Sequence, residues 1–134
     1  MFRKISLLFL VLSLFVVMGC AKKADPKRSI EKIHAEVVSM PVAELQSMAQ
    51  AYAAAIRAQK AEIGKIQQKI QKMPMEKVFS NPSMTRRISE IGREAEALFE
   101  RYRIYVKVLG EKGGDLSKVQ IEPGQPRNQE ENPA

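Results

Sequence analysis

The sequence predicts an all-α protein: an antiparallel helical hairpin of coiled-coil type, with a short helix before it and a disordered tail behind. Three observations predict it. Apolar residues recur at alternating intervals of three and four along 42–73 and again along 84–109; Pro74 and Pro82 separate the stripes; and Gly110, backed by Gly113-Gly114, closes the second. The chain has 134 residues, 22 Lys and Arg against 15 Asp and Glu, one Cys, one His and no Trp. That suffices for one small domain and excludes a large enzyme, a multi-pass membrane protein and a disulfide-stapled scaffold.

Residues 1–19 read as an export signal. Arg3 and Lys4 supply a positive start, and Ile5 to Met18 form an apolar run of fourteen broken only by Ser6 and Ser13. Such a run falls short of the roughly 20 residues that span a bilayer, so a permanent membrane helix is the weaker reading. The run closes on Val17-Met18-Gly19-Cys20. This tetrapeptide resembles the lipobox of bacterial prolipoproteins, in which a Cys after a small residue is diacylated and becomes the new N-terminus after cleavage. The resemblance covers the first 20 residues. It implies Cys20 as the lipidation site, a lipid-anchored protein of the bacterial cell envelope and, from Ala21 in place of Asp, the periplasmic face of the outer membrane in a double-membraned cell. Two or three acyl chains, at about 0.8 kcal/mol per buried methylene, make such an anchor effectively permanent. The only thiol is then consumed by lipid.

Residues 20–40 form a tether with one short helix. Lys22, Lys23, Lys27, Arg28 and Lys32 outnumber Asp25, Glu31 and Glu36, which suits either anionic headgroups or a solvated linker. Asp25-Pro26 reads as an N-cap followed by Pro at the first helical position, and Ile30, Ile33 and Val37 make a stripe too short to be stable undocked. His34 lies beside this stripe with no second His or free Cys near it, and reads as a surface or packing residue.

The hairpin occupies 41–110, with helices over about 41–73 and 83–110. The first seam is Val42, Leu45, Ala49, Tyr52, Ile56, Gln59, Ile63, Ile66, Ile70 and Met73; the second is Met84, Ile88, Ile91, Ala95, Leu98, Tyr102, Tyr105 and Leu109. Pairing positions whose numbers sum to 154 brings the seams into antiparallel layers: Leu45 with Leu109, Ala49 with Tyr105, Tyr52 with Tyr102, Ile56 with Leu98, Gln59 with Ala95, Ile63 with Ile91, Ile66 with Ile88 and Ile70 with Met84. The aliphatic half lies at the turn and the tyrosines lie away from it, which predicts a tight turn end and a looser, more polar terminal end. Val78 and Phe79 are placed to plug the turn. Ala51, Ala54, Ala58 and Ala61 form a far-face stripe, read either as helix propensity or as a bed for a third helix. Residues 111–134, rich in Gly, Pro, Asn and Gln, read as a disordered tail or at most one short docked strand.

Chemistry is sparse. A two-helix hairpin has no concavity in which to desolvate a base or nucleophile, and no phosphate loop, HExxH or paired-Cys motif occurs, so no catalytic, cofactor, metal or small-molecule site is expected. Nucleic acid is not an expected partner, because export removes the chain from it. The expected function is non-enzymatic: a membrane-anchored lipoprotein whose hairpin serves as a spacer or docks a protein partner or its own copies. The alternatives are a module whose basic second helix grips anionic lipid or glycan, and an accessory subunit of an envelope transport or secretion complex.

Overall fold

A computed structural model describes residues 23–121; Cys20 and the export signal lie outside the described residues, as does the tail beyond Ile121. Five elements follow one another: α1 (Ile30–Val37), α2 (Val42–Gln71), α3 (Met75–Phe79), α4 (Pro82–Glu111) and a single 3-10 turn (Leu116–Val119). The architecture is all-α. Helices α2 and α4, 30 residues and about 45 Å each, pack along one another as the antiparallel hairpin.

The helix limits follow from proline and glycine chemistry. Pro41 is the N-cap of α2 in extended conformation, Pro74 caps α3, and Pro82 occupies the first turn of α4, where its missing N–H costs nothing. Helix α4 runs one residue past Gly110 and stops in a Schellman arrangement: Gly114 N–H donates to Leu109 O at 2.8 Å and Gly113 N–H to Gly110 O at 3.0 Å. Gly113 has φ +76°, a left-handed conformation that glycine adopts without steric cost.

Helix α1 starts later than Asp25-Pro26 suggests. Asp25 instead closes a tight turn, its carboxylate accepting from Lys27 N–H at 2.8 Å, and Ser29 is the true N-cap, accepting from Lys32 N–H at 3.4 Å. The Ser29 hydroxyl also donates to Glu31 at 2.6 Å, which holds that carboxyl below its usual range. Docking answers the problem of α1's length: Ile33 and Val37 are fully buried, mainly against α4. The alanine stripe is not its bed, since Ala54, Ala58 and Ala61 are exposed; the buried alanines are Ala49 and Ala53.

The graded packing runs opposite to the sequence expectation. The tight end is the terminal one, where Leu45, Met48, Ala49, Tyr52, Ala53 and Ile56 of α2 meet Leu98, Tyr105 and Leu109 of α4 beneath Ile33, Val37, Met40 and Val119. At the turn end Ile91 alone is buried, while Ile63, Ile66, Ile70, Met84 and Ile88 stay half-exposed. Layer count is the cause. Two helices cover only one stripe of each other, and full burial begins where α1 and the C-terminal segment add further layers. Phe79 does not plug the turn; it is 80% exposed.

The tail also departs from expectation in its first part. Residues 112–121 fold back on the hairpin, with Asp115 capping the 3-10 turn through Ser117 N–H (2.9 Å) and Oγ (2.6 Å), bonds that lower its carboxyl pKa. Leu116 and Val119, three apart, share one face of that turn, and Val119 is buried.

The 154-sum register does not hold for the tyrosines. Tyr52 stacks on Tyr105, centroids 5.5 Å apart, while Tyr102 packs beside Phe99 and donates to Val119 O at 2.6 Å. The docked segment supplies Tyr102 with an acceptor and draws it off the seam. Gln59, paired on paper with Ala95, reaches Glu94 at 3.0 Å.

Candidate functional site

Side chains converge on backbone at the terminal end, and these clamps set which surfaces remain for other work. Arg101 is 9% exposed, its Nε donating to Arg28 O at 2.8 Å and a terminal nitrogen to Ala97 O at 2.7 Å. The Tyr52 hydroxyl donates to Asp25 O (3.1 Å) and accepts from Asp25 N–H (3.3 Å). Lys112 Nζ donates to Val38 O (2.7 Å), Met40 O (2.8 Å) and Val37 O (3.3 Å), placing a cation on the C-terminal carbonyls of α1. Arg57 donates to Gln120 O at 3.0 Å and Gln50 to Lys118 O at 3.4 Å. Both chain-terminal segments are thereby bound to the hairpin by donors that single-residue patterning does not reveal; the missed signal is an Arg on an otherwise apolar stripe.

Two surfaces remain. One is a shallow groove of about 480 Å³ between α1 and α4, lined by Val37, Val38, Ile104 and Val108 with His34, Arg103, Lys107 and Glu111 around it. His34 is thus exposed at a groove lip, in keeping with a surface residue. Val38 is 74% exposed there.

The other is the turn end. Residues 60–88 carry seven Lys and Arg against Glu62 and Glu76, a net +5, and all seven cations are exposed. Arg87 bonds Glu62 at 2.7 Å across the hairpin and lies 3.9 Å from Glu90; the Glu62 bond raises the guanidinium pKa further. Met75 (69% exposed) and Phe79 are exposed on α3, which connects α2 to α4. On the second helix Arg101 turns inward and Arg87 is tied to Glu62, so these two arginines are engaged within the fold.

Among the described residues no three His, Cys, Asp or Glu side chains gather as metal ligands, and no helix is long and apolar enough to cross a membrane. Comparison with protein-family models, curated proteins and solved structures finds no match.

Proposed function

We propose that the protein is a non-enzymatic, lipid-anchored component of the bacterial cell envelope, held by lipidated Cys20 and using its helical hairpin as a docking arm. The observation that carries the docking half is the uneven burial of the hairpin. A packed terminal end fixes the arm, while the turn half presents a half-covered aliphatic seam, exposed Met75 and Phe79, and exposed cations. Large apolar side chains left exposed beside cations offer what an interaction surface needs. The anchoring half rests on the lipobox resemblance of Val17-Met18-Gly19-Cys20.

The two halves are tested separately. Full-length protein expressed with a labelled fatty acid is expected to take up label, and Cys20→Ser to take up none; equal labelling of both overturns the anchor. For docking, in-cell crosslinking from a photoreactive residue at position 79 is expected to give discrete adducts to a macromolecule or lipid, and the same residue at exposed Ala54 to give none. Equal patterns from both positions overturn the docking arm.

A further inference from the structure

The chain from Cys20 onward carries 20 Lys and Arg against 15 Asp and Glu, a net +5, and residues 60–88 alone carry a net +5. The remainder of that chain is balanced, 13 against 13. The whole net charge of the exported portion therefore sits at the turn end, around the two most exposed large apolar side chains of α3. We propose that this end docks on an anionic lipid bilayer, with Phe79 and Met75 entering the interface and the surrounding cations pairing with headgroup charge. The proposal deepens the docking reading above by naming the surface docked on, and it rests on that reading for its nearness to a membrane.

Three observations select this occupant. Like charge disfavours a second copy laid end to end, since each would bring a net +5 to the contact. Among the described residues Lys65, Lys69, Lys72, Lys77 and Arg86 have no ion-pair partner, so their charge is available. Four of these five are lysines, hydrated point charges on flexible stems that suit mobile headgroups, whereas a fixed carboxylate on a protein favours the arginine fork. Their placement fits a surface as well. Lys65 and Lys69 follow i, i+4 on one face of α2, Lys72 is its C-cap, and Lys77 lies on α3, the same short helix that carries Met75 and Phe79.

The chain has no Trp, so Phe79→Trp gives a single reporter at an exposed position. The chain from residue 21 to 134, which includes every described element, is mixed with phosphatidylcholine vesicles that contain or lack phosphatidylglycerol. A blue shift and co-sedimentation are expected with phosphatidylglycerol only, both weakening as salt rises. Lys69→Gln/Lys72→Gln/Lys77→Gln is expected to lower vesicle affinity roughly a hundredfold, with the fold retained because all three side chains are exposed and Gln adds no anion at the C-terminal end of α2. Arg103→Glu/Lys107→Glu, at the groove, is expected to leave binding within about twofold; equal loss from both variants, or co-sedimentation without a blue shift, overturns the proposal. Absence of vesicle binding, including the case where position 79 crosslinks only to protein in cells, also overturns it. Because the chain tested lacks lipid, this failure is distinct from failure of fatty-acid labelling, and crosslinking at position 79 separately reports on the docking arm.

Discussion

The rings of Tyr52 and Tyr105 stack at 5.5 Å with 25° between their planes, yet only one of the two hydroxyls is hydrogen-bonded. Tyr52 reaches the Asp25 backbone, whereas the Tyr105 hydroxyl is fully buried with no partner. A buried hydroxyl without a partner loses its water and gains nothing in exchange. Tyr105→Phe is therefore expected to raise unfolding free energy by about 1 kcal/mol and Tyr52→Phe to lower it by about 1 kcal/mol, measured by urea denaturation. The two substitutions remove the same atom, so opposite signs test the assignment directly. Burial also raises the Tyr105 phenol pKa above its ordinary 10.0. A phenol whose folded pKa exceeds its unfolded one contributes stability that is complete below the unfolded value and is lost as pH rises through the folded one. Alkaline destabilisation above about pH 10 should accordingly be weaker in Tyr105→Phe.

Much of this arrangement can be read from sequence, and its limits have a physical origin. Heptad spacing locates α2 and α4 to within two residues because an apolar stripe and bounding prolines are local properties. The direction of the packing gradient is not local. It depends on whether weak segments such as 30–37 and 112–121 find a docking face, and neither is apolar enough to declare this alone. Met48 and Ala53, outside the a/d seam yet buried, are the visible trace: they widen the α2 stripe where additional layers cover it. At the turn end, segregation of charge emerges only when residues 60–88 are counted apart from the chain, since overall charge averages it away, and exposure of Phe79 emerges only in the fold.

Arg101 joins the N-terminal segment to α4 from a buried position, through two neutral carbonyls on different stretches of chain. Hydrogen bonds from a charged donor in partly buried surroundings contribute more than neutral ones. Arg101→Met is expected to cost about 2 kcal/mol, and Arg101→Lys to recover less than half, because one ammonium does not reproduce a fork reaching Arg28 and Ala97 together. Chemical denaturation measures the cost. Amide exchange should show its local part as faster exchange at Ile33 and Val37, with the turn half unaffected.

Lys112 performs a comparable task at the other end of α1. Its ammonium meets three carbonyls, those of Val37, Val38 and Met40, at the negative end of that helix. With eight residues α1 has little intrinsic stability, so losing this cap should unfasten it before the hairpin melts. Lys112→Met, which keeps most of the aliphatic stem, is expected to lower stability by about 1–2 kcal/mol and to raise amide exchange in α1 selectively. Equal acceleration in α2 would mean that α1 and the hairpin unfold as one unit.

Gly114 decides whether the C-terminal segment reaches its docking face. A Cβ there would sit 2.1 Å from Leu109 Cδ1, 2.7 Å from its Cγ and 3.1 Å from its carbonyl oxygen. Leu109 is fully buried in the same terminal core as Leu45 and Met40 and has little room to retreat. Gly114→Ala must shift either that leucine or the Schellman turn, and both routes peel residues 115–121 from the hairpin. A loss of about 1–3 kcal/mol is expected, as for overpacked cores. Gly110→Ala is the matching control: its Cβ would meet only Leu116 methyls at 3.5 and 3.9 Å, and alanine is the better helix former. It should be neutral or slightly stabilising in the same melt. If the two substitutions cost the same, close packing at Gly114 is not what holds the tail in place. A selective loss at Gly114, with Val119 becoming accessible to exchange, would identify the turn after α4 as the element that completes the terminal core.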